Sequence, residues 1–158
     1  MVKLWLRAET KKNEQRTALS PELCARLIAT GFSITAEKCS QRIFKNEEYA
    51  TAGCAMVEGG SWVDAPLDFI IIGLKELPEM EFALVHTHIM FAHCYKHQDG
   101  WETVLERFAR GNGTLLDIEF LMLKGFTILI QGVVLRLLAI MLDLLVVPLR
   151  SMHGCTKY

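Results

Sequence analysis

At 158 residues, 51% of them hydrophobic, and a formal charge of −1, the chain has the length for one domain with a real core and little room for two. That composition excludes a disordered segment, and the charge excludes a basic surface built to hold nucleic acid. Five cysteines, an odd number with no CxxC pair and no signal peptide ahead of them, point to a reducing, cytoplasmic setting. The first element, Leu4 to Glu9, reads as a strand ending in charge, and polar TKKNEQR follows as a loop. Ser20 is placed to cap a helix with Pro21 at its first position; Leu23, Leu27 and Ile28 recur at helical spacing, and Gly31 ends the element. Phe32 to Glu37 alternates as a short strand, Asn46 to Gly53 reads as a second helix, and Cys54 to Val57 as the next strand. This βαβαβ rhythm implies an α/β fold with an open, largely parallel sheet flanked by helices.

Beyond Pro66, the apolar run Phe69 to Leu74 reads as a central strand, and Pro78 bars a helix directly after it. Another strand is expected from Thr87 to Ala92. A helix opened by Asp99 follows, with Trp101, Val104, Leu105 and Phe108 on one face and Gly111 past its end. Gly113 to Leu121 reads as the last strand, with Asp117 and Glu119 on one side and Leu116 and Ile118 on the other.

Two of these apolar runs break straight into ionisable groups: Lys75 and Glu76 after the first, His93, Lys96 and His97 after the second. Apolar runs of this length are buried parallel strands, and ligands in open α/β sheets sit at their carboxyl ends. A lysine and a histidine are therefore expected in one crevice. Taken singly, each has an ordinary reading: a lysine past a strand is usually solvated, and a half-buried histidine is commonly just hydrogen-bonded. Arg16 on a loop would be a plain surface charge, and Asp117 with Glu119 the wet face of an edge strand. His86, His88, His93, Cys94 and His97 gather five potential metal ligands, but their spacing fits no zinc pattern, no cysteine pair accompanies them, and no metal is expected.

The motifs LRAETK, NEQRTALSPE, GSWVDAP, IIIGLKELPE, HTHIMFAHCYKHQDGW and GTLLDIEFL resemble, in order and spacing, the amino-terminal domain of the NAD-dependent, lysine-forming saccharopine dehydrogenases. These belong to a wider group with alanine dehydrogenase and the transhydrogenase amino-terminal domain. The resemblance covers about Leu4 to Leu121 and implies a Rossmann-like substrate domain over residues 1–121. It further implies oxidation of saccharopine, with NAD, to L-lysine and 2-oxoglutarate in lysine biosynthesis. Position by position, it implies Lys75 as the base for the amine proton and His93 as the acid/base group for hydrolysis of the imine. Arg16 and Gln98 would contact the substrate, and Glu76, Lys96 and Glu119 would line the same cleft. A lysine suits its task when burial and neighbours lower its pKa, and arginine's planar fork suits a substrate rich in carboxylates. The implied partner is a small molecule, with no nucleic acid and no metal.

From Leu123 to Tyr158 the chain departs from that family, which continues with a glycine-arginine-arginine segment and then a complete NAD domain; no GxGxxG occurs here. Phe126 to Leu149 is long and apolar enough to read as a transmembrane helix, which would make the protein a tail-anchored dicarboxylate binder. The codon table offers a different reading. One permitted coding of Gly132 to Val146, regrouped one base earlier, translates as GRRVAAFGYHAGFAG, the kind of segment the family carries next. Residues 122–158 thus read as the family's gene translated out of frame, and the chain as a fragment that is inactive alone for want of its NAD site.

Overall fold

The structure, a computed structural model, describes residues 1–75, 77–78, 80–92, 94 and 100–118. Its elements in order are β1 (Val2–Leu6), α1 (Pro21–Ala29), β2 (Phe32–Glu37), α2 (Asn46–Thr51), β3 (Ala55–Val57), a 3-10 turn (Ser61–Asp64), β4 (Phe69–Ile72), β5 (Thr87–Met90), α3 (Trp101–Gly111) and β6 (Thr114–Asp117). All six strands join one sheet in the order β3-β2-β1-β4-β5-β6, and every pairing is parallel. The expected α/β sheet is therefore observed.

Local chemistry explains most of the boundaries. The Ser20 hydroxyl accepts from the Leu23 N–H at 3.2 Å, with Pro21 opening α1, a cap that contributes about 1 kcal/mol. The second helix is opened differently from the sequence reading. The residue at its cap position is Lys45, whose N–H donates to the Glu48 carboxylate at 2.6 Å. Asn46 instead turns its side-chain oxygen back to the Cys39 N–H and the Arg42 guanidinium. Strands β1, β4 and β5 each stop short of the expected ends, although single ladder bonds continue past them, from the N–H groups of Arg7, Gly73 and Phe91 to the carbonyls of Ile72, Ile89 and Leu74. Gly111 is not a stop signal but the last residue of α3, and Asn112 ends the helix at φ 52°. Glycine is required at 111 because a Cβ there would lie 2.0 Å from the Leu84 carbonyl oxygen.

The register stacks side chains in rows across the sheet. One row runs Thr35, Trp5, Ile71, His88 and Leu115, on the face where Trp62, Leu84, Met90 and Phe108 complete a buried cluster. The alternate rows bring Leu4 and Leu6 beside Ile34, Ala36 and Ile72, all 2% exposed or less. Helix α3 does not bury its full expected stripe: Leu105 is 39% exposed, whereas Arg107 is buried. Arg107 lies over the Phe82 ring and donates to the carbonyls of Phe82 and Pro78, both at 3.1 Å. A helix thereby grips the loop that Pro78 keeps non-helical.

His86 and His88 share one side of β5, but they face protein. His86 Nε2 is 2.8 Å from the Ala65 carbonyl, and His88 is edge-on to the rings of Trp62 and Phe108. Burial, aided by His86, Arg7 and Arg107, holds the His88 pKa at about 3 against an ordinary 6.5. Between those values the unfolded chain takes up a proton that the folded chain refuses, so this contribution is whole above pH 6.5 and is lost as the pH falls toward 3. Lowering the pH from about 7 to about 5 should cost the protein about 2 kcal/mol through His88 alone. Urea titrations of the parent and His88→Leu at both pH values check this: the variant should lose less stability, and equal losses would contradict the assignment.

Candidate active site

In a sheet of this order, the strand direction of winding reverses between β1 and β4, and the crevice beyond their carboxyl ends is where such folds hold ligands. The chain leaves β1 as Arg7, Ala8 and Glu9 and leaves β4 as Gly73, Leu74 and Lys75. The two exits are laced together. The Glu9 carboxylate accepts from the Leu74 N–H at 2.7 Å and the Lys75 N–H at 3.0 Å. The Arg7 guanidinium lies 3.5 Å from Glu9 and donates to the Lys75 carbonyl.

The loop that follows β1 carries the next charges. Asn13 adopts φ 65°, a left-handed turn that asparagine tolerates, and the loop is tied down by Gln41, which donates to the Glu9 carbonyl at 2.7 Å. At its far side, Arg16 Nε and Nη2 donate to the two oxygens of Glu14 at 2.8 and 2.6 Å. That fork pulls the Glu14 pKa down to about 2, and the charge of Lys75 adds to the effect. Arg16 remains 70% exposed beyond this contact. Arg16 is thus paired with a carboxylate that also lies within the electrostatic reach of Lys75.

Other expected residues cannot be located in the same way: His93, Glu76, Lys96, Gln98 and Glu119 lie outside the described residues, as do His97, Asp99 and residues 119–158. Their chain neighbours are defined. The Asp117 carboxylate accepts from the Ala92 N–H at 3.3 Å, which ties the end of β6 to the residue preceding His93. Among the described residues, no three His, Cys, Asp or Glu side chains are arranged to hold a metal ion.

Four charged residues of this region were not singled out by sequence: Arg7, Glu9, Glu14 and Glu37. Glu37 is fully buried and accepts from Trp5 Nε1, Ala8 N, Gly60 N and Trp62 N at 2.7–3.0 Å. The available signal was charge at the ends of strands that must be buried, where each ion needs a partner.

A fully parallel sheet wound in this order, with charged groups converging where the winding reverses, defines a Rossmann-like α/β domain. The chain belongs to the family described as Alanine dehydrogenase/PNT, N-terminal domain, whose model matches residues 5–130. A saccharopine dehydrogenase (NAD(+), L-lysine-forming) of Emericella nidulans is 59% identical over 120 residues, which are 75% of this chain and 32% of that protein. The chain spans about a third of the length of the curated relatives it matches. Among solved structures, the transhydrogenase of Sinorhizobium meliloti gives a TM-score of 0.62 at 20% identity, covering 77% of this chain and 36% of that one. An L-alanine dehydrogenase gives 0.59 at 21% identity, covering 74% and 32%. These two likenesses concern the fold.

The described residues do not fit a dinucleotide at the β1–β4 crevice. Pyrophosphate sits on a tight glycine-rich turn opening a helix, whereas residues 7–20 contain no glycine. The Glu9 and Glu14 carboxylates stand in the same region and would repel phosphate.

The Glu14–Arg16 fork can be checked directly. In Arg16→Gln, carbon-detected titration of the Glu14 carboxyl should move its midpoint from about 2 back toward 4.5; an unchanged midpoint would mean that the fork does not form.

Proposed function

We propose that residues 1–121 form the substrate-binding, amino-terminal part of a saccharopine dehydrogenase of the NAD-dependent, L-lysine-forming kind. The observation that carries this reading is the Arg16–Glu14 fork on the loop after β1, within the electrostatic reach of Lys75 at the exit of β4. It is supported by the extent of identity to relatives bearing that name. Lys75 takes the proton of the secondary amine as the amine becomes an imine. His93 moves the protons of water addition and carbinolamine collapse. Arg16, with part of its guanidinium open to solvent, pairs with a substrate carboxylate, and Gln98 adds a neutral contact. Glu76, Lys96 and Glu119 line the cleft and balance its charge. The redox step belongs to NAD bound outside the described residues, and the small-molecule partners are saccharopine, or lysine with 2-oxoglutarate, in a cytoplasmic setting.

We further propose that residues 122–158 are an out-of-frame continuation, on the strength of the regrouped codons of Gly132 to Val146. Among the described residues, no helix is long and apolar enough to cross a membrane; the apolar stretch Phe126 to Leu149 lies outside them. The test is a fresh nucleotide sequence across the codons for Leu116 to Tyr158. A single-base difference that restores glycine-arginine-arginine supports the reading, and a confirmed frame in both message and genome with no family sequence in the shifted frame ends it.

Function is tested by following NADH consumption with lysine and 2-oxoglutarate. These 158 residues alone should give no turnover. Residues 1–121 joined in frame to the remaining length of a curated relative should give robust turnover. In that joined enzyme Lys75→Met should lower kcat by about 10²- to 10⁴-fold. Arg16→Gln should raise KM for 2-oxoglutarate about tenfold to hundredfold, the worth of a charge-assisted hydrogen bond. A joined enzyme indifferent to Lys75→Met would overturn the assignment of the base.

A further inference from the structure

We infer that Arg7 and Glu9 are positioning residues for Lys75: a buried ion pair at the exit of β1 that grips the Lys75 peptide unit from both ends. The inference rests on the reading of Lys75 as the base. Beyond β4 the backbone still has ladder partners on the β5 side, since Gly73 N–H donates to the Ile89 carbonyl at 3.0 Å and Phe91 N–H to the Leu74 carbonyl at 3.2 Å. On the β1 side the ladder stops at Arg7, whose N–H donates to the Ile72 carbonyl at 2.9 Å. From there the side chains take over. Glu9 receives two consecutive N–H groups, those of Leu74 and Lys75, and Arg7 donates to the carbonyl of Lys75.

Burial decides what this arrangement is for. The side chains of Arg7 and Glu9 are 1% and 4% exposed. A buried ion pair is commonly no more stabilising than apolar residues of the same volume, so stability alone is a poor reason to keep one. What apolar residues cannot do is hold three main-chain groups at the point where a strand becomes a loop. A proton-abstracting amine at the end of four rotatable bonds needs its Cα fixed to within about 0.5 Å for the geometry to recur in each molecule. The pair is also neutral in sum, so it grips the backbone without adding net charge beside the amine. Gly73 completes the device: a Cβ there would lie 2.6 Å from Arg7 Nε and Nη2, so the guanidinium can lie against the chain only over a glycine.

The experiment uses the full 158-residue chain and two variants, Glu9→Gln, which removes the charge, and Gly73→Ala, which displaces Arg7 without altering any ion. Substoichiometric acetylation by a water-soluble N-hydroxysuccinimide ester, read by peptide mass spectrometry across pH, reports the reactivity of each lysine. Lys38, paired with Glu58 just past β2, is the internal reference. In both variants the Lys75 rate relative to Lys38 should change by about threefold or more with a displaced pH profile. Folded variants whose Lys75 profile overlays the parent's would overturn the inference. Because a variant can fail to fold, amide hydrogen exchange in the parent is measured as well. The Leu74 and Lys75 N–H groups should exchange far more slowly than that of exposed Ala83, and equal rates would likewise overturn it. A displaced Lys75 profile together with a joined enzyme indifferent to Lys75→Met would leave the grip standing and remove the base; the opposite combination removes the grip alone.

Discussion

The carboxylate of Glu37 is the interaction on which the arrangement of the crevice depends. It lies at the end of β2 with no exposure to solvent, and it collects donors from a tryptophan ring on β1, from the main chain just past β1, from Gly60 before the 3-10 turn and from Trp62 within it. An ionised carboxylate buried without partners would cost several kcal/mol; with four N–H donors it becomes a rigid junction. Its bond to the Ala8 N–H sets the direction in which the chain leaves β1, between Arg7 and Glu9. The grip on Lys75 is thus built on a carboxylate two strands away from it.

From that junction the charges form a graded series. Glu37 is sealed in and answers only to N–H groups. Arg7 and Glu9, nearly as buried, face each other and the backbone beyond β4. Glu14 is shared between Arg16 and the field of Lys75, and Arg16 reaches solvent. Fixed, paired ions buried between β1 and β4 give way to an arginine that is paired with Glu14 yet 70% exposed. In such a gradient the ordered groups below keep those above from being reorganised.

Much of this was legible in the sequence, for reasons that can be named. Phe32–Glu37 and α1 were readable because an alternating or helical apolar period, a serine cap and a proline are local signals. The family was readable through motifs long enough to be matched as strings. Glu37, Glu9 and Glu14 were not. A glutamate ending FSITAE looks like a strand running into solvent, and what makes it a buried hub is Gly60 and Trp62, more than twenty residues away, as the 23- and 25-residue separations of those bonds record. Gly111 was misread as a helix stop because the reason for a glycine there, the crossing backbone of Leu84, is equally non-local. The burial of Arg107 was not legible either, because Phe82 and the Pro78 carbonyl, which make it tolerable, lie more than twenty residues away.

The strand order carries a consequence for how the chain comes together in time. β1, the earliest strand in chain order, lies at the centre of the sheet between β2 and β4. Its two partners are centred some thirty and sixty-five residues downstream, at Ile34 and Ile70 opposite Leu4. On a ribosome, β1 can pair on one side once α1 and β2 have emerged, but its other edge must wait for β4. During that interval an apolar strand with an open edge is exposed to other chains, the circumstance in which non-local parallel sheets misassemble. A device that closes only when β4 arrives, the Arg7–Glu9 grip on Leu74 and Lys75, therefore doubles as the latch that ends the chain's most vulnerable interval.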